Sequence, residues 1–285
     1  MSINEIKCES AIHKLKRRNP YGFDLNIYRG CAHGCRYCYA LDSHKYLDGD
    51  FHSDIYVKTN IVDALERELS APGWNRDVIN IGGVTDSYQP AEAQYKLMPE
   101  ILRLLIKYRT PAIISTKSTL PLRDIELIDE LSRITYINVA ATITTLDEHV
   151  RIRLEPDGAP SAARFEMLKT LRQNTNASVG LHVMPIVPRL TDSAENLEAL
   201  CRRAREAEVH YMLPGVMYLR GGTRRAFFDF IERDFPEHLG DLQAIYKTGG
   251  AGKEYKDGFY TTLNEIRDRY EIPRSYTKVM RKKMQ

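Results

Sequence analysis

The chain has 285 residues, 43% of them hydrophobic and 28% charged, with a formal net charge of +3. Its length allows a large core, its composition is that of a globular domain rather than a disordered or fibrous chain, and its small net charge gives little reason to invoke a polyanionic partner. No apolar signal segment follows "MSINEIKCES" and no apolar run is long enough to span a bilayer, so the expectation is a cytoplasmic protein without membrane contact.

Residues 1–22 form a polar, basic lead containing "HKLKRR", matched at the other end by the basic "RSYTKVMRKKMQ". Either could touch phosphates, but a solvated charged face is the plainer reading. From Phe23, "FDLNIYRG" alternates as a strand does and runs directly into three cysteines. Five short, β-branched apolar runs follow: "DVINIGG", "PAIISTK", "ITYINVAATIT", "SVGLHVMPIV" and "VHYMLPGVMYL". Such runs read as buried parallel strands. Between them stand "NIVDALERELS", "EAQYKLMPEILRLLIKY", "LRDIELIDELSR", "APSAARFEMLKTLRQN" and "SAENLEALCRRAREA", with apolar residues at helical spacing. Asn60, Pro121, Ser161 and Ser193 supply helix-start signals.

Strand and helix alternate about six times, which argues for βαβ units with right-handed crossovers. The expected fold is therefore α/β, a partial (β/α)6 TIM-like barrel over residues 23–220, with an open doubly wound sheet as the alternative. After Gly221 the pattern changes to "RRAFFDFIERDF", "HLGDLQAIYK" and "YTTLNEIRDRY", the last two separated by the glycine-rich "TGGAGKEYKDG". Residues 221–285 read as a helical C-terminal extension.

Three of the five cysteines, Cys31, Cys35 and Cys38, lie in "RGCAHGCRYCYA" with CxxxCxxC spacing, while Cys8 and Cys201 stand apart as ordinary small residues. Close-set thiols in a reducing compartment point to metal or catalysis rather than a disulfide. Structural zinc wants four ligands, usually two separated pairs, and no second CxxC or HxxxH follows; His33 would need a cramped loop to serve as the fourth. A thiol redox role is weak, because the CxxC does not open a helix in a thioredoxin-like unit. Three thiolates without a fourth suit a 4Fe-4S cubane with one iron left open, and the loop lies at the C-terminal end of the first strand, where barrel chemistry collects. A non-catalytic zinc-binding or scaffold protein is the alternative.

The cysteine motif followed by βα units resembles the radical S-adenosylmethionine superfamily. Within it, "YRGCAHGCRYCYA", "VTDSYQPAE", "STKSTLPLRDIELI", "ITTLDEHVRIRLEPDGAPS" and "PIVPRLTD" resemble the spore photoproduct lyase-related group, often labelled DNA repair photolyases. The resemblance implies an enzyme in which Cys31, Cys35 and Cys38 ligate three irons and S-adenosylmethionine chelates the fourth. It implies an electron donor of the flavodoxin or ferredoxin kind, a 5'-deoxyadenosyl radical that abstracts a hydrogen atom, and a lyase-like reaction whose substrate could be a nucleic-acid lesion.

The same resemblance places Tyr37 near the adenine, Gly82, Gly83 and Thr85 at the amino end of the cofactor, Lys117 at its carboxylate and Thr142 at its ribose. Each has a plainer reading: a packed tyrosine, a strand-end turn, a solvated lysine, a good strand residue. Glu155 and Pro156 would flank the site, though a surface salt bridge is the simpler reading of Glu155. Pro185 and Pro188 would shape a loop over the adenine. Asp86, Tyr88 and Gln89 would sit near the substrate, without assigned roles. One position departs from the group: Val84 stands where the spore photoproduct lyase has a cysteine that returns a hydrogen atom to the product.

Overall fold

The computed structural model describes residues 1–16, 20–44, 49–277 and 280. Arg17 and Arg18 of the basic lead, and most of the basic stretch after Thr277, lie outside the described residues.

Six parallel strands form the main sheet: β3 (Phe23–Leu25), β6 (Ile79–Ile81), β7 (Ala112–Thr116), β8 (Ile137–Thr142), β9 (Ser178–Ile186) and β10 (Tyr211–Val216). Their spatial order repeats their chain order, and β2 (Ile12–Lys14) adds antiparallel to the free side of β3. A doubly wound sheet would reverse direction midway. This one winds a single way and leaves β10 unpaired with β3, so the expected partial barrel is the fold. Residues Ile137 to Thr142 are buried without alternation, as strands covered on both faces must be.

A second sheet joins β1 (Ser2–Ile6), β5 (Asp54–Lys58) and β4 (Tyr28–Arg29), with β5 in the middle. Residues 1–22 therefore contain two strands, β1 and β2. The segment expected as one first strand divides at Asn26 and Ile27. Its first half pairs with β6 and its second with β5. The backbone carbonyl of Asn26 accepts from Lys58 Nζ at 2.7 Å and its side chain from the Val84 amide at 3.0 Å, which holds the divide open.

Helices α1 (Ile61–Leu69), α6 (Ser161–Asn174) and α7 (Ala194–Glu206) follow the expected periodicity, and Ser193 caps α7 by accepting from the Asn196 amide. Asn60 precedes α1 but does not cap it with its side chain. Instead it accepts from the Cys8 amide at 2.8 Å and donates to the Cys8 carbonyl at 2.9 Å.

The segment expected as one helix before Tyr108 is two, α2 (Pro90–Tyr95) and α3 (Leu97–Lys107). Lys96 takes a left-handed conformation between them, and the fully buried Glu92 carboxylate caps α3 through the amides of Leu97 and Met98. α4 (Ile125–Ile134) follows a short 3-10 turn, and α5 (Glu148–Leu154) is capped by Asp147.

The C-terminal segment forms α8 (Gly221–Asp234), α9 (Leu239–Ile245) and α10 (Lys253–Arg269). α10 begins inside the glycine-rich stretch because Tyr255, Phe259, Leu263 and Ile266 give it a packed face. Beyond it, Tyr276 packs on Tyr211, 5.3 Å between ring centroids, and joins Val78, Ile113 and Tyr136 in an apolar cluster at the N-terminal ends of the strands. No helix among the described residues is long and apolar enough to cross a membrane.

Candidate active site at the C-terminal ends of the strands

The cysteine loop leaves β4 at Gly30 and is stitched to the turn after β6. Thr85 Oγ1 donates to the Gly30 carbonyl at 2.6 Å, Gln89 Nε2 donates to the same carbonyl, and the Ala32 amide donates to Gln89 Oε1 at 2.9 Å. From other sides the Cys31 amide bonds Phe51, the Arg36 amide bonds Leu154, and Thr223 Oγ1 donates to the Cys38 carbonyl. Gly34 sits at φ +66, where an added Cβ would press on Pro156 at 3.0 Å, so this loop can pass over the end of α5 only as glycine.

Cys35 is buried and Cys31 and Cys38 are partly so. Burial pushes all three thiols up, Cys31 to about 12, and the three interact electrostatically with one another. Metal has to displace their protons for them to serve as ligands. Among the described residues no three His, Cys, Asp or Glu side chains converge closely enough to share one ion. Three thiols on one loop, with Cys35 interacting with both of the others, are the donors that a multi-iron cluster takes, one thiolate to each of three irons. The donor set fits the cluster.

His33 is engaged away from the cysteines. Its Nδ1 lies 3.1 Å from the Asp157 carbonyl and its Nε2 3.0 Å from Asp86 Oδ2, so both ring nitrogens are taken up by oxygens outside the cysteine set. Asp86 also accepts from Thr116 Oγ1, from the Lys117 amide at 2.8 Å and from the Tyr88 amide at 2.9 Å. Burial opposes its charge, but His33 and these donors hold the carboxyl down at about 2. Asp86 thereby ties the cysteine loop to the end of β7.

Lys117 follows β7. Its Nζ stands 5.6 Å from the centroid of the Tyr37 ring, and although burial disfavours its charge, Cys35 and Glu155 raise it to about 12. Tyr37 donates its hydroxyl to Glu155, and Glu155 pairs with Arg164 at 2.6 Å, the two ionic side chains being 1% and 0% exposed. The surface salt bridge expected for Glu155 is thus a buried one. Arg164 also donates to the carbonyls of Thr142 and Ala159, each at 2.7 Å, and carries α6 against the end of β8.

The structure brings Cys35, Tyr37 and Lys117 together and puts Thr85 beneath the loop. Gly82 and Gly83 follow β6; Gly82 has φ +87, and the Gly83 carbonyl accepts from the exposed Tyr39. Thr142 ends β8 in register with His182 on β9, nearly buried. Val84 is partly exposed beside Thr85, and Pro185 lies within β9. Below this layer, Tyr211 accepts from Asn138 at 2.9 Å, faces His182 Nε2 at 3.1 Å, and His182 Nδ1 reaches Ser115 at 3.3 Å. Burial and the Lys117 charge bring His182 down to about 4, so it is neutral near pH 7.

The family model described as "Radical SAM superfamily" matches residues 25–225. The chain belongs to the radical S-adenosylmethionine superfamily. Its cofactors are accordingly a 4Fe-4S cluster and S-adenosylmethionine. An uncharacterized protein of Mycobacterium tuberculosis is 35% identical over 257 residues, spanning 87% of this chain and 75% of that one. Another, of Methanocaldococcus jannaschii, is 28% identical over 263 residues, spanning 89% and 93%.

Among solved structures, spore photoproduct lyase complexed with dinucleoside spore photoproduct superposes with TM-score 0.66 over 94% of this chain and 79% of that one, at 13% identity. A radical SAM methyltransferase from Sphaerobacter thermophilus gives 0.55 over 89% and 65%, at 16% identity. At such identities the likeness is one of fold.

Proposed function

We propose that this radical SAM enzyme reductively cleaves S-adenosylmethionine and abstracts a hydrogen atom from its substrate, in the cytoplasm, with an electron donor of the flavodoxin or ferredoxin kind. The observation that carries the reading is the meeting of three mutually interacting thiols with Lys117 and Tyr37 at the C-terminal ends of the parallel strands. When bound, the cluster and cofactor supply an electron and a 5'-deoxyadenosyl radical.

Cys31, Cys35 and Cys38 hold the cluster. Lys117, kept charged within the site, faces the cofactor carboxylate as a point charge with three donors. Tyr37, fixed by Glu155, gives the adenine a wall. Gly82 and Gly83 let backbone approach the amino end. Thr85 serves there through its backbone, its hydroxyl being donated to Gly30. Thr142 reaches the ribose from the end of β8. Thr223 of α8, donating to the Cys38 carbonyl, fixes the end of the cysteine loop against the C-terminal helices.

A lyase-like reaction on a nucleic-acid lesion is the finer reading, supported by the fold of the spore photoproduct lyase complex. Val84 offers no transferable hydrogen, so the product radical is quenched by another route or the substrate differs. Turnover of specifically deuterated candidate substrates, followed by mass spectrometry of 5'-deoxyadenosine, tests it: deuterium in the nucleoside identifies the substrate, and its absence with every dinucleotide lesion tried removes the lesion reading.

A further inference from the structure

A second feature opens beside the cysteine loop. A cavity of about 520 Å³ is lined by residues of the small sheet and of the neighbouring barrel loops, Gly30 and Val84 among them. Among the described residues its walls carry Lys7, His13, Arg29 and Lys58 against one carboxylate, Glu9. Glu68, just behind, is taken up by Ser10 Oγ and the amides of Ala11 and Ile12 and does not line the space.

Lys58 is the telling residue. It is 8% exposed, and its Nζ donates to the Asn26 carbonyl at 2.7 Å. Among the described residues no carboxylate pairs with it; its charged neighbour is Arg29, a second cation, and the Cys8 thiol lies alongside. Burying an ammonium is costly unless an anion or several acceptors meet it, and a like charge nearby makes it costlier. Two cations lining one cavity, with Lys7 a third, are satisfied together by an anion.

We propose that this cavity binds a phosphate group of the substrate and so presents the adjoining carbon skeleton to the site past Val84 and Gly30. This rests on the function proposed above for its catalytic meaning, but the anion site itself does not. Among the described residues three cations against one carboxylate suit a phosphate group, whose negative charge is spread over several acceptor oxygens. The Asn26 carbonyl and side chain join Lys58 to the Val84 turn, so the anchor and the cofactor turn share one support.

The test uses the reconstituted holoenzyme without S-adenosylmethionine, so phosphate binding is read separately from cofactor cleavage. Cys8 lines the cavity and Cys201 is fully buried, so alkylation of Cys8, followed by mass spectrometry, reports occupancy. Inorganic phosphate should slow it in the wild type, and Arg29→Ala and Lys58→Met should each weaken that protection about tenfold. Arg29→Ala alters an exposed side chain and keeps the test open if Lys58→Met fails to fold.

A thymidine monophosphate and a short single-stranded oligonucleotide then separate a small phosphorylated substrate from a nucleic acid, by which of them protects at the lower concentration. Cys8 alkylation unchanged by phosphate, or protection equal in wild type and both variants, overturns the proposal.

Discussion

Lys117 stands over the Tyr37 ring, 5.6 Å from its centroid, and is held in its charged form by Cys35 and Glu155 although burial works against it. A cation kept at the end of a barrel strand beside Cys35 suits the role proposed for Lys117, receiving the cofactor carboxylate. Lys117→Ala should leave the iron content unchanged and weaken S-adenosylmethionine binding about thirtyfold, the worth of one hydrogen bond to a charged group. Calorimetric titration of the anaerobic holoenzyme checks it; unaltered affinity would remove Lys117 from the cofactor site.

Each of Cys31, Cys35 and Cys38 should be indispensable if the proposed ligand set is right. Cys31→Ala, Cys35→Ala and Cys38→Ala should each reconstitute with far less than the about four irons expected of the wild type and lose the brown absorbance. Cys8→Ala and Cys201→Ala should keep both. Iron and sulfide analysis decides between the sets, and zinc retained by the wild type in place of iron would favour a scaffold protein.

The buried pair Glu155–Arg164 holds Tyr37 beneath Lys117. Glu155→Gln leaves a guanidinium without its counter-charge in a dry position and should cost about 3 kcal/mol in anaerobic urea unfolding. The double variant Glu155→Gln/Arg164→Met should recover part of that loss. A single variant as stable as the wild type would show the pair to be energetically idle.

His182 sets a pH dependence whose sign follows from its burial. The folded protein keeps this ring neutral down to about 4, below the ordinary imidazole value of 6.5. The unfolded chain takes up a proton that the folded chain refuses. Stability from this residue is therefore full above pH 6.5 and falls as the pH drops toward 4, by about 2 kcal/mol near pH 5. His182→Gln should flatten that part of the urea-midpoint profile relative to wild type.

The barrel strands were legible because a strand covered on both faces is a continuous apolar run, as in "ITYINVAATIT". Strand β1 was not: "SINEI" lies in the small sheet with mostly exposed residues and has no apolar signature. The break at Lys96 was hidden because its cause, the Glu92 carboxylate, acts through a fold-dependent cap. Among site residues, the cysteines announce themselves by spacing. Glu155 did not, since a charged residue at a helix end looks like surface until Arg164 of the next helix and Tyr37 close around it. Asp86 likewise gains its place only when His33 and the end of β7 meet on it.

The most direct measurement is the yield of 5'-deoxyadenosine when the anaerobically reconstituted protein is given dithionite and S-adenosylmethionine. The wild type should form 5'-deoxyadenosine and methionine in equal amounts, and Cys35→Ala should form neither. A fully reconstituted wild-type sample that leaves S-adenosylmethionine intact would contradict the proposed function.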